Sequence, residues 1–326
     1  MQALQVTSLS GDLSGCQLID LPVPERKPGE VLVRIRAASL NFPDLLMTRG
    51  DYQFKPEPPF VAGMELAGEV IEADETSAFK VGDHVMGGAK TGGMAEYASV
   101  PERNLRPAPP SLHFTQAAAL GAAYTTAYTA LIEQGDLTAG QWVLVHGASG
   151  GVALAAIDLA KNMGAKVIAA TGSPEKSARI EQLYAPDAVI ESNGRFREQV
   201  SEITNGKLAD LVLDTVGADI FDESTRCVAF GGKLLVVGFA GGRIPEIAAN
   251  IPLIKGFSVV GVRAGEYARR FPERGARIAA KVSQLASEGA IKPAIDRIVP
   301  LSRWREAFEA MDQRQLVGKV ILTPGS

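Results

Sequence analysis

Residues 142–153 read Trp142-Val143-Leu144-Val145-His146-Gly147-Ala148-Ser149-Gly150-Gly151-Val152-Ala153. A continuous apolar run ends in a glycine-rich turn. The turn opens onto a stretch in which Val152, Leu154, Ala155, Leu159 and Met163 supply the apolar positions of a helix. Continuous rather than alternating apolar residues mark a strand buried on both faces. A strand, a glycine turn and a helix in succession let backbone N–H groups approach a pyrophosphate, and the positive helix end favours its charge. In register, the G-x-G-x-x-G spacing is filled as Ala148-x-Gly150-x-x-Ala153. Alanine in the third place suits close helix–strand packing, whereas alanine in the first is a larger departure. This reading gives Ser149, Gly150, Gly151 and Val152 to the phosphates of a dinucleotide; the plain alternative is a tight strand-to-helix turn.

The same alternation continues downstream. Strand-like runs occupy residues 165–170, 188–190, 211–214, 233–237 and 257–262, separated by helical segments. Six strands alternating with helices predict a doubly wound parallel sheet. A residue at the end of the second strand chooses between the two nicotinamide dinucleotides. An acid there, ~20 residues past the glycines, holds a ribose 2′-hydroxyl. This chain has Ala169-Ala170-Thr171-Gly172-Ser173 instead, followed by Lys176 and Arg179. Thr171, Ser173 and Lys176 therefore point to a 2′-phosphate, and so to NADP(H). Ser173-Pro174-Glu175 is also a good helix N-cap with proline in the first turn, the bland reading of Ser173.

Upstream, the texture is different. Residues 31–37 and 67–71 read as strands, punctuated by Lys27-Pro28-Gly29-Glu30, Val81-Gly82-Asp83 and the glycines from Gly87 to Gly93. Short strands with such punctuation predict a barrel-like β-rich domain. An alanine-rich helix is expected over residues 115–132, and a charged helical stretch over residues 267–288. Gly318-Lys319-Val320-Ile321-Leu322 is a final strand that returns to the first domain. The expected organisation is α/β: a barrel-like β-rich catalytic domain of residues 1–122 and 265–326, plus a doubly wound parallel-sheet (Rossmann) cofactor domain of residues 123–264.

Composition narrows the function classes. The 326 residues are 46% hydrophobic and 21% charged, with a net charge of −4. That is ordinary globular material. No basic block is present, which argues against a nucleic-acid partner. Two cysteines, Cys16 and Cys227, make no disulfide framework. No signal peptide is visible and no apolar run approaches the ~20 residues of a membrane span, so a cytoplasmic location is expected.

The chain resembles the medium-chain dehydrogenase/reductase superfamily, in its zinc-independent NADPH:quinone oxidoreductase branch. The resemblance runs nearly end to end. It rests on Asn41-Phe42-Pro43-Asp44, Gly50-Asp51-Tyr52, Gly63-Met64-Glu65-Leu66-Ala67-Gly68-Glu69-Val70, Gly82-Asp83-His84-Val85, Gly93-Met94-Ala95-Glu96-Tyr97, the glycine turn and Gly318-Lys319-Val320. Zinc alcohol dehydrogenases of the superfamily have Gly-His-Glu where this chain has Gly63-Met64-Glu65, and methionine is not a normal zinc ligand. The segment expected to hold a zinc cysteine reads Ala38-Ser39-Leu40-Asn41-Phe42, and the four-cysteine structural loop is missing. No metal is expected.

The resemblance further implies that Asn41 and Tyr52 border the substrate cleft, with Asn41 donating its amide to the nicotinamide ribose or to the substrate oxygen. Thr126 is implied near the nicotinamide, Phe239 against the cofactor through its backbone, and Lys319 on the cofactor side. His146 and Asp44 are read as structural. The implied activity is hydride transfer from NADPH to a quinone or related acceptor, which needs placement more than activation. An enone or enoyl-thioester reductase, a non-catalytic NADPH-sensing or nucleic-acid-binding relative, and a metal alcohol dehydrogenase are the alternatives. Relatives of the branch are often homodimers joined along sheet edges, which here points to residues 255–262.

Overall fold

In the computed structural model, described over residues 1–192 and 194–325, the chain begins with β1 (Gln2–Val6), β2 (Cys16–Asp20) and β3 (Glu30–Leu40). It turns through α1 (Phe42–Arg49) and continues as β4 (Phe60–Val61), β5 (Glu65–Glu72), β6 (His84–Gly87), β7 (Tyr97–Pro101) and β8 (Leu105–Pro107). Helix α2 (Phe114–Tyr128) then leads into the alternating part: β9 (Trp142–His146), α3 (Gly151–Asn162), β10 (Lys166–Thr171), α4 (Pro174–Tyr184), β11 (Ala188–Glu191), α5 (Arg197–Ile203), β12 (Ala209–Asp214), α6 (Ala218–Ser224), β13 (Val228–Val236), α7 (Asn250–Lys255) and β14 (Ser258–Gly261). Helices α8 (Ala264–Arg270) and α9 (Pro272–Ser287) follow, then β15 (Ile295–Pro300), α10 (Trp304–Asp312) and β16 (Lys319–Thr323).

Two units result: Met1–Gly121 together with the chain from Ile295 on, and Ala122–Ala294. The second crossing therefore lies after residue 294 rather than after 264, where the sequence reading put it. The reason is specific bonding of α8, α9 and the segment beyond them to the second unit. Tyr267 donates to Glu133 at 3.1 Å and Arg277 to Glu133 at 2.9 Å. The Lys292 N–H reaches Asp158 at 2.8 Å, and Asn162 donates to the Ala290 carbonyl at 3.3 Å.

In the first unit a seven-stranded sheet runs β15-β16-β3-β5-β6-β8, with β7 also paired to β3; β2-β1-β4 form a second, small sheet. The long β3 accepts β7 along its first half and β16 along its second. Leu4, Val33, Leu40, Leu66, Val70, Val85 and Phe308 are fully or almost fully buried in the core beneath these strands. Each such side chain contributes roughly 1.5–3 kcal/mol by leaving water. The register Val320↔Leu40, Ile321↔Ser39 and Leu322↔Ala38 fixes where the last strand starts, and carried one step further it sets Lys319 across from Asn41.

The second unit holds a six-stranded all-parallel sheet in the order β11-β10-β9-β12-β13-β14. Its strands are the six expected from the apolar runs. Leu144, Ile168, Val212 and Leu234 are fully buried in its core with Phe196. Strand β9 is flanked by β10 on one side and β12 on the other. The strand order reverses there, which is the topological switch point at which open α/β sheets bind ligands.

Candidate active site

In the first unit the site residues are set by the entry of α1. Asn41 is its N-cap, with extended backbone at φ −117° and ψ 153°, and Pro43 lies in the first turn. Asp44 reaches back: its Oδ2 accepts the Asn41 N–H at 2.8 Å. That bond satisfies a helix-entry donor by a side chain. Asp44 is fully buried, and burial pushes its carboxyl up to about 7, against the pull of the Asn41 N–H and of the Lys319 ammonium. Asp44 thus positions backbone, as its sequence context suggested.

The Asn41 amide is held on both sides. Its Oδ1 accepts from Lys319 Nζ at 2.5 Å. Its Nδ2 donates to the Ser39 carbonyl and to Glu65 Oε2, each at 3.2 Å. An asparagine amide has two hydrogens, and both are used. Both hydrogens are thus spent within the protein, where the sequence reading expected the amide to donate to a ligand. Lys319 is 6% exposed and Glu65 5%, with the ammonium 3.5 Å from Glu65 Oε2. Arg106 also faces Glu65, and its own burial depresses the guanidinium pKa while Glu65 supports the charge. The pair sits hard against α2. A Cβ at Gly121 would lie 2.7 Å from Glu65 Oε1 and 2.8 Å from an Arg106 nitrogen. Tyr52 is half-buried on the loop after α1. Met64 is half-buried, and among the described residues no group of three or more His, Cys, Asp or Glu is placed to hold a metal ion.

In the second unit the glycine turn leaves β9 at its carboxyl end. Its left-handed residue is Gly147, at φ +62°, where a Cβ would fall 2.5 Å from Thr215 Oγ1. The obligatory glycine is therefore one residue before Ala148, the position that the sequence register assigned. The Gly150 N–H closes the turn on the Gly147 carbonyl at 2.8 Å. Gly150 is the N-cap of α3, and no side chain caps this helix end. The N–H groups of Gly151 and Val152 are first-turn donors without an intrahelical acceptor. A helix N-terminus at the switch point, free of side-chain caps, fits a dinucleotide pyrophosphate. Ser149 and Val152 border it half-buried.

Thr171, at the end of β10, is buried and its carbonyl accepts the Ser192 N–H at 2.9 Å. Ser173 caps α4, accepting the Lys176 N–H at 3.4 Å. Gly172 is exposed, with open space where a side chain would stand. An acid missed in the sequence reading lies next door: Glu191 of β11 is in register with Thr171. Pairing between strands is not legible from linear spacing. Asp214, closing β12, accepts the N–H groups of Val216 at 2.8 Å and Gly217 at 2.9 Å. A Cβ at Gly217 would meet the Phe239 ring at 2.9 Å, so Phe239, itself 39% exposed, lies over that loop. Thr126 is half-buried on α2. His146 is wholly buried, 2.9 Å from Ser224 Oγ and 4.9 Å from the Phe196 ring centre. Burial pushes its pKa down to about 3, so it is neutral and structural.

Two family profiles match the chain: an alcohol dehydrogenase GroES-like domain over residues 27–110 and a zinc-binding dehydrogenase over residues 151–281. A quinone oxidoreductase-like protein 2 homolog of Nematostella vectensis is 38% identical over 297 residues, covering 90% of this chain and 81% of that one. The chain belongs to the quinone oxidoreductase family of medium-chain dehydrogenases/reductases. The human quinone oxidoreductase is 32% identical and covers 99% of this chain and 97% of its own. A mycobacterial protein solved with NADPH superposes with a TM-score of 0.92 at 28% identity, over 99% of this chain and 100% of that one. As a member of this family the protein is a nicotinamide-dependent oxidoreductase. No helix among the described residues is long and apolar enough to cross a membrane.

Proposed function

We propose that the protein is a zinc-independent reductase that uses NADPH to reduce a quinone. The observation that carries this reading is the uncapped glycine turn at the switch point, beside a β10 end that bears Thr171-Gly172-Ser173 in place of an acid. When bound, the nicotinamide supplies the hydride. The first turn of α3 holds the pyrophosphate through its N–H groups. Ser173, the open position at Gly172 and the Lys176 side chain receive the 2′-phosphate. Thr171, Thr126 and the Phe239 backbone border the rest of the cofactor. In the first unit, Asn41 offers an acceptor oxygen to a hydroxyl, Lys319 holds Asn41, and Tyr52 is the donor for negative charge growing on the acceptor oxygen. No step uses a metal, and a quinone is electrophilic enough to need none.

The same unit carries a surface that fits a homodimer. Strand β14 is an edge of the parallel sheet. Around it Phe230, Leu253, Ile254 and Val259 are exposed, by 88%, 80%, 73% and 39%. An unpaired edge flanked by exposed apolar side chains is covered most simply by a second copy of itself. The cysteines are both free and buried, in keeping with a reducing, cytoplasmic setting.

The test is a parallel assay of NADPH and NADH consumption by chelator-treated protein with a benzoquinone, phenanthrenequinone, a simple enone and an enoyl thioester. Consumption of NADPH with the quinones supports the proposal. Turnover confined to the enone or thioester replaces it with double-bond reduction, and equal use of NADH removes the cofactor assignment.

A further inference from the structure

We propose that Lys319 and Glu65 are positioning residues for Asn41, locking its amide so that it presents an acceptor, and not a donor, to the ligand. The inference rests on the reading of Asn41 as a residue of the NADPH and acceptor site, and it deepens that reading by naming what Asn41 can bind.

The orientation of the amide is forced by its neighbours. With Oδ1 toward the Lys319 ammonium, the contact joins an acceptor to three N–H donors; with Nδ2 toward the Ser39 carbonyl and Glu65 Oε2, two hydrogens meet two acceptors. A flip would press the NH2 group against the ammonium and the amide oxygen against a carbonyl and a carboxylate. All three favourable contacts would become unfavourable together. The lock is anchored from two separate strands. Lys319 comes from the start of β16, set opposite Asn41 by the strand register, and Glu65 from the start of β5. Glu65 in turn is fixed by Arg106 and by the bare face of α2 at Gly121. Every charged member of this group is buried or nearly so, where hydrogen bonds to ionised groups are strongest and least screened by salt.

A locked acceptor selects its ligand group. An amide oxygen already polarised by an ammonium takes a second hydrogen bond from a hydroxyl, as on the ribose of a nucleotide cofactor, and turns away a carbonyl oxygen. The ammonium has three N–H donors and two partners among the described residues, Asn41 and Glu65.

The experiment combines a structural and a functional readout. In protein labelled with 15N-asparagine, with the Asn41 signals assigned by their loss in Asn41→Ala, the wild-type side-chain amide should exchange with solvent slowly, and at least about tenfold faster in Lys319→Met. In parallel, a double-mutant cycle of Lys319→Met and Asn41→Ala is read on NADPH dissociation and on kcat/KM. Lys319→Met should weaken NADPH binding and lower kcat/KM by about tenfold or more, and in the Asn41→Ala background by less than about twofold, because its effect runs through Asn41. Lys319→Arg should recover part of the loss. Should Lys319→Met not fold, Lys319→Arg and Glu65→Gln carry the same cycle. A wild-type Asn41 amide that exchanges as fast as an exposed one, or full additivity of the two substitutions, overturns the proposal. So does an Asn41→Ala protein that binds NADPH and turns over like wild type. Slow amide exchange and a non-additive NADPH affinity, with no acceptor reduced, would leave the lock standing and sink the reductase instead.

Discussion

The ammonium of Lys319 lies 2.5 Å from Oδ1 of Asn41, across 278 residues of chain. That contact exists because β16 returns to pair with β3, and it delivers a buried cation to the segment where zinc relatives are expected to hold a metal ligand.

Glu65 is the carboxylate on which the buried charges depend. Glu65→Ala would leave the buried Lys319 and the half-buried Arg106 without their shared anion. Removing one partner of a buried pair costs about 3–5 kcal/mol. The expected result is a fall of that order in unfolding free energy by urea titration. A loss below about 1 kcal/mol would mean that water, and not Glu65, carries the compensation.

Two glycines of the turn should behave differently. Gly147→Ala forces a side chain into left-handed backbone and onto Thr215, and should destabilise the protein by roughly 1–3 kcal/mol. Gly150→Ala has ordinary backbone, with its nearest neighbour at 3.3 Å. It should lower the melting temperature less than Gly147→Ala does, since only a tight carbonyl contact and a poorer N-cap oppose it, yet weaken NADPH, because the new methyl group stands where the phosphates approach. Calorimetry and cofactor titration on both variants check this.

Asp44 makes a pH signature. Its carboxyl is pushed from 3.8 up to about 7 by burial, with Glu65 adding to the rise and Lys319 opposing it. Between those values the folded protein binds the proton that the unfolded chain has lost. The contribution of Asp44 to stability is therefore complete at the acid end and is lost as pH rises to about 7, with a slope of at most ~1.4 kcal/mol per pH unit. Asp44→Asn removes this dependence. Its stability relative to wild type should climb from about pH 4 to pH 7 and then level off; a flat difference across that window would contradict the assignment.

The exposed edge predicts an assembly. Light scattering should give twice the chain mass for wild type, and Leu253→Asp combined with Phe230→Asp should give the monomer without loss of helical signal. A monomeric wild type at micromolar concentration would remove the dimer.

Much of this was readable in the chain. All six parallel strands of the second unit follow from continuous apolar runs, and the glycine turn from its position between a strand and a helix. The need for glycine at position 147 was not legible, since it comes from Thr215, nearly seventy residues away in sequence. The unit boundary after residue 294 was hidden for the same reason: α8 and α9 are charged and polar, and only Glu133 and Asp158 reveal which sheet they serve. The engagement of both Asn41 hydrogens was not legible either, because Glu65, which takes one of them, comes from β5, and Lys319, which fixes the oxygen, from β16.

Zinc-independent quinone reduction is tested by the rate of NADPH oxidation with benzoquinone, followed by nicotinamide absorbance on protein dialysed against a chelator and assayed for zinc. Sustained turnover is expected at zinc contents far below one per chain, unchanged when zinc is added back. Turnover that is lost on dialysis and restored by zinc would contradict it.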